Sequence, residues 1–423
     1  MHRGLLARRD MVKQSVPMSA TFSERFGWPQ VLAGILLLLF LGQCSWLVAR
    51  EYVTIGGLTG DELMRIQTGL TQWRGQAVAG TQSNKDTFYT PLARDRTRDD
   101  PFDPNHSPLW YLIASTPAAI FRVSPSSWSW LWLARAPYIV FGTLLGASLW
   151  YVSRRLYGNA GGFIALGLYC FSPGAIRSSS LWISSPDIGA VWGTFGAVFT
   201  AIAVSHTLYA PREVVLWNWR RTILLGVALT LAVGAHFGLV IVVPLLLAYM
   251  LYLAPERKTA ASVILGTACV IAFCLLFASY FFHPRIFGEG LRHARFLDAN
   301  LLALKMPGAY KQIGLEILAS GPVLAILAPV ALATYAAWPR ARYFGNTAPL
   351  IAAALFVLLR ILSPHDAGSV FSLAAVVFLF VFVAGIAADL LETRRRELFS
   401  SVIAGLVAAN ALWNLISLAR VAR

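Results

Sequence analysis

Residues 29–49 read PQVLAGILLLLFLGQCSWLVA, a run without a single charged side chain. A helix of about 20 apolar residues is long enough to cross the hydrocarbon core of a bilayer, which is about 30 Å thick. A basic segment containing Arg8, Arg9 and Lys13 precedes this run, and the run is longer than the hydrophobic region of a secretory signal peptide. We therefore predict a retained transmembrane anchor rather than a cleaved leader.

The rest of the chain has the same apolar character. Its 423 residues are 57% hydrophobic and only 13% charged, with a mean hydropathy of +0.62, whereas a soluble domain carries about 25% charged residues. The composition therefore predicts a polytopic membrane protein. The net charge of +15 does not indicate a nucleic-acid partner, because lysine and arginine also orient membrane spans. The four cysteines lie in apolar runs and suggest neither a disulfide framework nor a zinc motif.

Apolar stretches of similar length recur along the sequence. Backbone groups inside lipid must be hydrogen-bonded within the protein, so a series of such spans forms an α-helical bundle. The expected fold class is an all-α polytopic membrane protein with about eleven transmembrane helices. The predicted spans are residues 29–49, 135–153, 160–176, 188–209, 222–236, 238–254, 260–282, 313–337, 347–362, 368–389 and 398–418.

The basic residues predict the topology. With the N-terminus inside, every short basic cluster from Arg154-Arg155 to Arg394-Arg395-Arg396 falls on the inner side, as the positive-inside rule requires. Counting the apolar segment 107–121 as a span would reverse this pattern. We therefore predict that it forms a juxtamembrane helix in the outer interface, together with an amphipathic helix that begins near Asp61.

This topology divides the chain into segments. We expect a multi-pass protein of the inner (cytoplasmic) membrane, with its chemistry on the external or periplasmic face. The predicted segments are a cytoplasmic N-terminal tail (1–28), a single transmembrane domain (29–418) with external loops at 50–134 and 283–312, and an external C-terminal tail (419–423).

Two acidic positions stand out on the predicted external side. Asp61-Glu62 follows the first span and opens the amphipathic stretch. Asp187 comes directly after Pro186 at the outer start of a span, where a carboxylate is costly unless it is solvated, paired or bound to a metal. These carboxylates also fit a purely structural role at a helix N-terminus, so both interpretations stay open at this point.

Asp61-Glu62 is the first of several short motifs that follow one another in a particular order. The chain resembles the GT-C class of membrane glycosyltransferases, which includes protein O-mannosyltransferases and lipid A aminoarabinose transferases, in the order, spacing and side of these motifs over about residues 30–260. Ser107 departs from the family pattern, which has a proline at this position. The other motifs are His106-Ser107-Pro108-Leu109-Trp110-Tyr111, Arg135-Ala136-Pro137-Tyr138, Arg154-Arg155-Leu156-Tyr157-Gly158, and Arg177 with Asp187.

The resemblance implies an enzyme that moves a sugar from a polyprenyl-phosphate donor to an acceptor hydroxyl of a glycan, lipid or protein on the outer face. It implies Asp61 as the base that takes the acceptor proton, with Glu62 and Asp187 as further catalytic carboxylates. In some members a divalent metal lies between carboxylates that correspond to Asp61 and Asp187. Such ligands do not distinguish Mg²⁺, Mn²⁺ and Zn²⁺.

Basic residues are expected to bind the phosphate of the lipid donor. The external loop at 283–312 carries Arg285, Arg292 and Arg295, and we predict that the last two share one face of a helix. An interfacial helix that contacts anionic headgroups of membrane lipids would carry the same residues. The remaining candidate substrate-binding residues are His106, Arg135, Arg177 and His236.

Two other functions are compatible with this sequence. A polytopic subunit or assembly factor would keep the GT-C scaffold without catalysis, and a transporter of lipid-linked substrates would also need a membrane cavity with a few charges. Transporters usually have repeated halves with broken helices near the midplane. The charged residues here cluster at the predicted outer rim, which favours an enzyme.

Overall fold

The chain folds into a bundle of α-helices in a computed structural model. No β-strand occurs among the residues that the structure describes, so the predicted all-α fold class is confirmed. The described residues are 22–55, 60–75, 102–121, 128–181, 186–209, 218–297, 299–363 and 368–421. The helices are α1 (Phe22–Ile55), α2 (Gly60–Trp73), α3 (Pro108–Phe121), α4 (Trp128–Cys170), α5 (Pro173–Ser180), α6 (Asp187–Thr207), α7 (Asn218–Ala235), α8 (Val242–Leu253), α9 (Lys258–Ser279), α10 (Pro284–His293), α11 (Pro307–Ser320), α12 (Pro322–Ala337), α13 (Phe344–Leu362), α14 (Ser369–Leu391) and α15 (Arg396–Val421), with short 3₁₀ helices at Phe237–Ile241, Leu301–Lys305 and Pro339–Ala341.

Seven of the described helices are long and apolar enough to cross a membrane, and an eighth crossing is added if the bent pair α11–α12 is one span. The chain is therefore a multi-pass membrane protein. All eleven predicted spans are helical over most of their length, but the count of eleven stays a prediction. Helix α4 covers two predicted spans, because the backbone of Gly158 (φ 74°, ψ −173°) interrupts it between them.

Helix α14 forms the centre of the bundle. It packs against α4, α6, α12 and α13, and Phe378, Phe380 and Phe382 along it are fully buried. The ring centroid of Phe378 lies 5.7 Å from those of both Phe195 in α6 and Phe356 in α13. A helix that is apolar on every side fits this position, since all its faces meet other helices.

One predicted span is strongly bent. The span predicted at 313–337 consists of α11 and α12, which meet at an angle of 113°. The reason is Pro322, which has no N–H to continue the helix and disfavours the helical conformation at the residue before it, Gly321. The bend lies against a second interruption, between α4 and α5, where Ser172 Oγ donates a hydrogen bond of 2.5 Å to the carbonyl oxygen of Ser320.

Amide side chains satisfy the main-chain carbonyl groups that the interruption between α4 and α5 leaves open. The amide group of Gln43 in α1 donates to the Cys170 carbonyl at 3.1 Å, and that of Asn410 in α15 donates to the Phe171 carbonyl at 3.1 Å. Asn414, one turn further along α15, donates to the Gln43 side chain. Unpaired backbone groups are costly in lipid, so these contacts make the interruption tolerable.

The predicted juxtamembrane helices of the first external loop are present as α2 and α3, and neither is among the helices long enough to cross a membrane. They approach very closely at Gly69, where a Cβ atom would lie 2.2 Å from both the Tyr111 carbonyl oxygen and Ser115 Oγ. Trp73 Nε1 donates to the Leu112 carbonyl at 3.0 Å. Residues 56–59, 76–101 and 122–127 of the predicted loop 50–134 lie outside the described residues.

The first and last helices extend beyond the predicted spans. Helix α1 begins at Phe22, within the predicted tail 1–28, and bends at Gly27 (φ 71°, ψ 155°). Helix α15 reaches Val421, within the predicted tail 419–423. Residues 1–21 and 422–423 lie outside the described part of the chain, so the division into tails and a single transmembrane domain stays a prediction.

Candidate functional site

A buried arginine connects four helices at the end of the bundle that is predicted to be external. Arg135 in α4 has no exposed surface. Its Nη1 lies 2.5 Å from Glu51 Oε2 in α1, and its Nη2 lies 3.3 Å from Glu62 Oε1 in α2. It also donates to the carbonyl oxygen of Ser180 at the end of α5. An unpaired charge at such a position costs several kcal/mol, so the two carboxylates are what make a buried arginine possible here.

The predicted catalytic pair Asp61 and Glu62 lies in the first turn of α2. Glu62 is only 4% exposed and contacts Arg135. The backbone of Asp61 belongs to α2, but its side chain lies outside the described part of the structure, so its roles as base and metal ligand stay predictions. The ion pair between Glu62 and Arg135 fixes the turn of helix that carries Asp61.

Arg65 belongs to the same region, although none of the sequence motifs points to it. Its position four residues after Asp61 places both residues on one face of α2. This spacing is the sequence feature from which Arg65 could have been predicted. The charge of Arg65 acts on the hydroxyl groups of Tyr111 and Tyr138. Its Nε is buried and has no hydrogen-bond partner among the described residues.

Asp103 organises a hydrogen-bond network just before α3. Its Oδ2 lies 2.9 Å from His106 Nδ1 and accepts a 2.6 Å hydrogen bond from Tyr111 Oη, while its Oδ1 accepts from the Asn105 N–H at 2.8 Å. Burial by itself raises the pKa of Asp103, but the charge of His106 and these hydrogen bonds outweigh it and hold that pKa well below its ordinary value. Burial and the charge of Asp103 raise the pKa of Tyr111 well above its ordinary value. At neutral pH, therefore, Asp103 is an anion and Tyr111 a neutral donor.

The segment that carries His106 is docked on the turn between α7 and α8. The N–H and Oγ of Ser107 donate to the Gly234 carbonyl oxygen at 3.0 and 2.8 Å. The rings of His106 and His236 meet edge to face, with centroids 5.8 Å apart. His236 Nδ1 accepts a hydrogen bond from the Gly238 N–H at 3.1 Å, so the proton of its neutral ring is on Nε2. The structure thus brings two of the predicted substrate-binding residues together.

The predicted basic loop packs against the same segment. The ring of Phe102 stacks on that of His293 in α10 with centroids 5.2 Å apart, and the Arg295 N–H donates to the Pro104 carbonyl oxygen at 2.7 Å. The side chains of the three predicted phosphate-binding residues are exposed. They are Arg285, Arg292 and Arg295.

The prediction that Arg292 and Arg295 share a helix face is wrong. Helix α10 ends at His293, and the next residue, Ala294, is extended (φ −67°, ψ 130°). The reason is tertiary: the Arg295 N–H bonds to Pro104, outside the helix. The two arginines therefore lie at the end of α10 and in the segment after it.

Asp187 is the first residue of α6, and it contacts the central helix. Its Oδ2 accepts a hydrogen bond of 2.7 Å from Ser369 Oγ in α14. The charge of Asp187, like that of Arg65, acts on the hydroxyl group of Tyr138, which lies 3.2 Å from Trp110 Nε1.

Arg177 occupies a different environment from the other predicted substrate-binding residues. It lies in α5, and its Nη2 donates to Ser417 Oγ in α15 at 3.0 Å. No carboxylate of the described residues forms an ion pair with it. Arg177 therefore contacts the lipid-facing helix α15 and not the carboxylates around Arg135.

The described side chains do not by themselves form a metal site. No group of three or more His, Cys, Asp or Glu residues in the described ranges could hold a metal ion. Glu62 and Asp103 are each engaged by neighbouring side chains. A divalent metal between Asp61 and Asp187 stays a prediction, because it depends on a carboxylate outside the described residues.

The helices and their arrangement define the class of fold. The chain has the fold of the GT-C membrane glycosyltransferases, as solved structures that match it show. No protein-family model matches the sequence, and no curated protein matches it. The similarity that these comparisons find is therefore one of fold, at 12–13% sequence identity.

Two proteins represent this similarity. ArnT from Cupriavidus metallidurans matches in the apo state with a TM-score of 0.55 and 13% identity over 89% of this chain and 74% of that one. In its complex with undecaprenyl phosphate, ArnT matches with a TM-score of 0.55 and 12% identity over 94% of this chain and 74% of that one. The archaeal oligosaccharyltransferase AglB from Archaeoglobus fulgidus, solved with an inhibitory peptide and a dolichol-phosphate, matches with a TM-score of 0.54 and 13% identity over 95% of this chain. This chain spans 56% of the length of AglB.

Proposed function

We propose that this chain is a glycosyltransferase that moves a sugar from a polyprenyl-phosphate carrier to an acceptor hydroxyl on the external face of the inner membrane. The main support is the hydrogen-bonded set of Asp103, His106 and Tyr111, together with the hydrogen-bonded carboxylate of Asp187, in a chain with the GT-C fold. Polar groups inside a membrane bundle are costly and mark functional sites by default. ArnT binds undecaprenyl phosphate and AglB binds a dolichol-phosphate in their solved complexes, which supports a lipid-phosphate donor.

In this proposal Asp61 is the catalytic base. Its carboxylate takes the proton of the acceptor hydroxyl, the acceptor oxygen bonds to the anomeric carbon, and the bond from that carbon to the phosphate oxygen breaks. The products are the glycosylated acceptor and the polyprenyl phosphate. Glu62 and Arg135 act as positioning residues, since their buried ion pair fixes the first turn of α2.

Asp187 is the second carboxylate of the proposed site. Its hydrogen bond from Ser369 orients it, and its charge reaches Tyr138. A divalent metal held by Asp61 and Asp187 would neutralise charge on the donor phosphate. Removal of Mg²⁺, Mn²⁺ and Zn²⁺ by chelation is then expected to abolish transfer, and re-addition of one of them to restore it. Full activity after exhaustive chelation would contradict the proposed metal ion, but it would leave the proposed role of Asp61 as the base unaffected.

The departing phosphate needs hydrogen-bond donors and positive charge. We propose His106 and His236, whose rings are in contact, and Arg65, whose Nε has no partner among the described residues. Arg285, Arg292 and Arg295 have exposed side chains on α10 and the segment after it, which packs against the segment that carries His106. We propose that they attract the anionic donor from the membrane surface.

The test is Asp61→Asn in the native host, read by profiling the glycans of lipids, proteins and surface polymers. One glycan modification is expected to disappear, while the protein stays at its normal level in the membrane. Glu392→Gln is the matched control, because Glu392 is exposed and pairs with Arg340 in a distant region. Unchanged glycans in the Asp61→Asn strain contradict the proposed function and favour a non-catalytic subunit.

A transporter of lipid-linked substrates is the second candidate. The observation that favours it is the contact between two helix interruptions, at Ser172 and Ser320, since transporters build their sites from broken helices. Purified protein in liposomes separates the two functions. Movement of a labelled lipid-linked sugar between leaflets without sugar transfer supports the transporter, and transfer to an acceptor supports the enzyme.

A further inference from the structure

A basic cavity lies between α5 and α15, apart from the candidate site. It has a volume of about 290 Å³ and is lined by Arg177, Trp413, Ile416, Ser417 and Arg420. Helix α5 contributes one arginine and α15 contributes the other. Two guanidinium groups on one small cavity predict an anionic occupant.

No carboxylate of the described residues neutralises the charge of this cavity. Neither Arg177 nor Arg420 forms an ion pair with a carboxylate of the described residues. Arg177 Nη2 donates to Ser417 Oγ, but its Nε is buried and has no hydrogen-bond partner in the same ranges. Burial also lowers the pKa of Arg177, because removing the charged guanidinium group from water is unfavourable. A ligand with acceptor oxygens would satisfy this group.

The surroundings of the cavity are apolar and face outward. Trp413 and Ile416 on its rim are exposed, as are Leu412 and Leu415 on the same helix. Exposed apolar residues on a membrane-spanning helix face the lipid chains. The volume of about 290 Å³ is at the lower end of the usual range for small-molecule sites, so the cavity suits a headgroup, with hydrocarbon chains lying along α15.

We propose that the cavity between α5 and α15 binds the phosphate group of an anionic membrane phospholipid. Arg177 and Arg420 hold the phosphate oxygens, and the Ser417 hydroxyl group forms a hydrogen bond with the same phosphate. Trp413 lies at the level of the lipid headgroups. Basic pockets between membrane helices are known to take such headgroups. This inference does not depend on glycosyl transfer, because none of these residues contacts Arg135, His106 or Asp187 in the interactions described above.

The test is native mass spectrometry of the purified full chain with phosphatidic acid, phosphatidylglycerol or phosphatidylcholine. The anionic lipids are expected to bind more tightly than phosphatidylcholine. At about fivefold per arginine, the affinity for phosphatidic acid is expected to fall about fivefold in Arg420→Gln and about thirtyfold in Arg177→Gln/Arg420→Gln. Arg395 is an exposed arginine directly before α15. Arg395→Gln is the matched control and is expected to bind as the wild type does.

Three results would overturn the proposal. The first is equal phosphatidic acid binding by the wild type and the double variant. The second is equal binding of phosphatidic acid and phosphatidylcholine by the wild type. The third is displacement of phosphatidic acid by inorganic phosphate at matched concentration, because the occupant would then be a soluble phosphate. Thermal unfolding checks that the variants fold. If Arg177→Gln does not fold, the test is the loss of about fivefold that is expected in Arg420→Gln alone, and unchanged phosphatidic acid binding by that variant overturns the proposal.

Discussion

Arg135 and Glu62 form an ion pair in which the arginine has no exposed surface and Nη2 lies 3.3 Å from the carboxylate. This pair joins α4 to the first turn of α2. Glu51 completes it from α1, so one guanidinium determines where three helices meet. The position of Asp61 depends on this junction because it is the residue next to Glu62.

Replacing Arg135 with methionine is expected to destabilise the protein by about 3–5 kcal/mol, since it leaves two carboxylates without their cation in a buried place. The measurement is unfolding of the purified protein by SDS or heat. Arg340→Met is the control, because Arg340 pairs with Glu392 at the surface and such pairs contribute less than about 1 kcal/mol. Similar losses in the two variants would show that the Arg135 junction is not a structural centre.

Asp103→Asn is expected to lower stability in a pH-dependent way. Because the pKa of Asp103 is lowered in the folded protein, its ionised form contributes stability above the ordinary value of about 3.9, and this contribution is lost as the pH falls towards the folded pKa. The wild type should therefore exceed the variant at pH 7 and approach it as the pH falls below about 4. Unfolding curves between pH 7 and 3 give the comparison. A difference that is constant over this range would mean that the charge of Asp103 is not what stabilises the network.

Gly69→Ala is expected to separate α2 from α3. The new Cβ would lie 2.2 Å from the Tyr111 carbonyl oxygen, which is main chain and cannot rotate away, and overpacking of this kind costs about 1–3 kcal/mol. Gly34→Ala in α1 is the control, because nothing lies within 4 Å of the Cβ position there. The measurement is the free energy of unfolding of both variants. A Gly69→Ala protein as stable as the wild type would contradict the close packing of α2 on α3.

Ser369→Ala tests whether Asp187 has a role in the proposed transfer. Loss of the hydrogen bond to Asp187, at about 0.5–1.5 kcal/mol, is expected to lower kcat by a factor of about two to ten with little change in stability. Ser372→Ala is the matched control, since Ser372 Oγ donates to the carbonyl oxygen of Ser369 within the same helix and to no other described residue. Equal kcat values for the two variants would remove Asp187 from the reaction, whereas the role of Asp61 would be unaffected.

The helices of this fold are predictable because their main determinant is local. Each span needs an apolar stretch of sufficient length, and the turn at Gly234 and the helices α2 and α3 follow from short polar or amphipathic stretches nearby. The bend at Gly321 shows the limit of this approach. Pro322 is visible in the sequence, but the direction of the two halves depends on contacts such as that between Ser172 and Ser320.

The candidate site is only partly predictable, because its contacts join distant parts of the chain. His106 and His236 stand out separately as residue types, but their contact follows from the docking of Ser107 on Gly234. Asp103 lies in a run of turn-forming residues, and only the fold shows that it binds two side chains. The end of α10 at His293 depends on a hydrogen bond to Pro104, which no local pattern contains.

The interruption between α4 and α5 has a consequence for biosynthesis. The Phe171 carbonyl receives its hydrogen bond from Asn410, which is 239 positions later in the chain. During synthesis, α4 and α5 are therefore in the membrane long before α15 can supply this donor. Until then, water or insertion factors must donate hydrogen bonds to the open carbonyl groups. Water can therefore leave this part of the bundle only after the ribosome has synthesised α15.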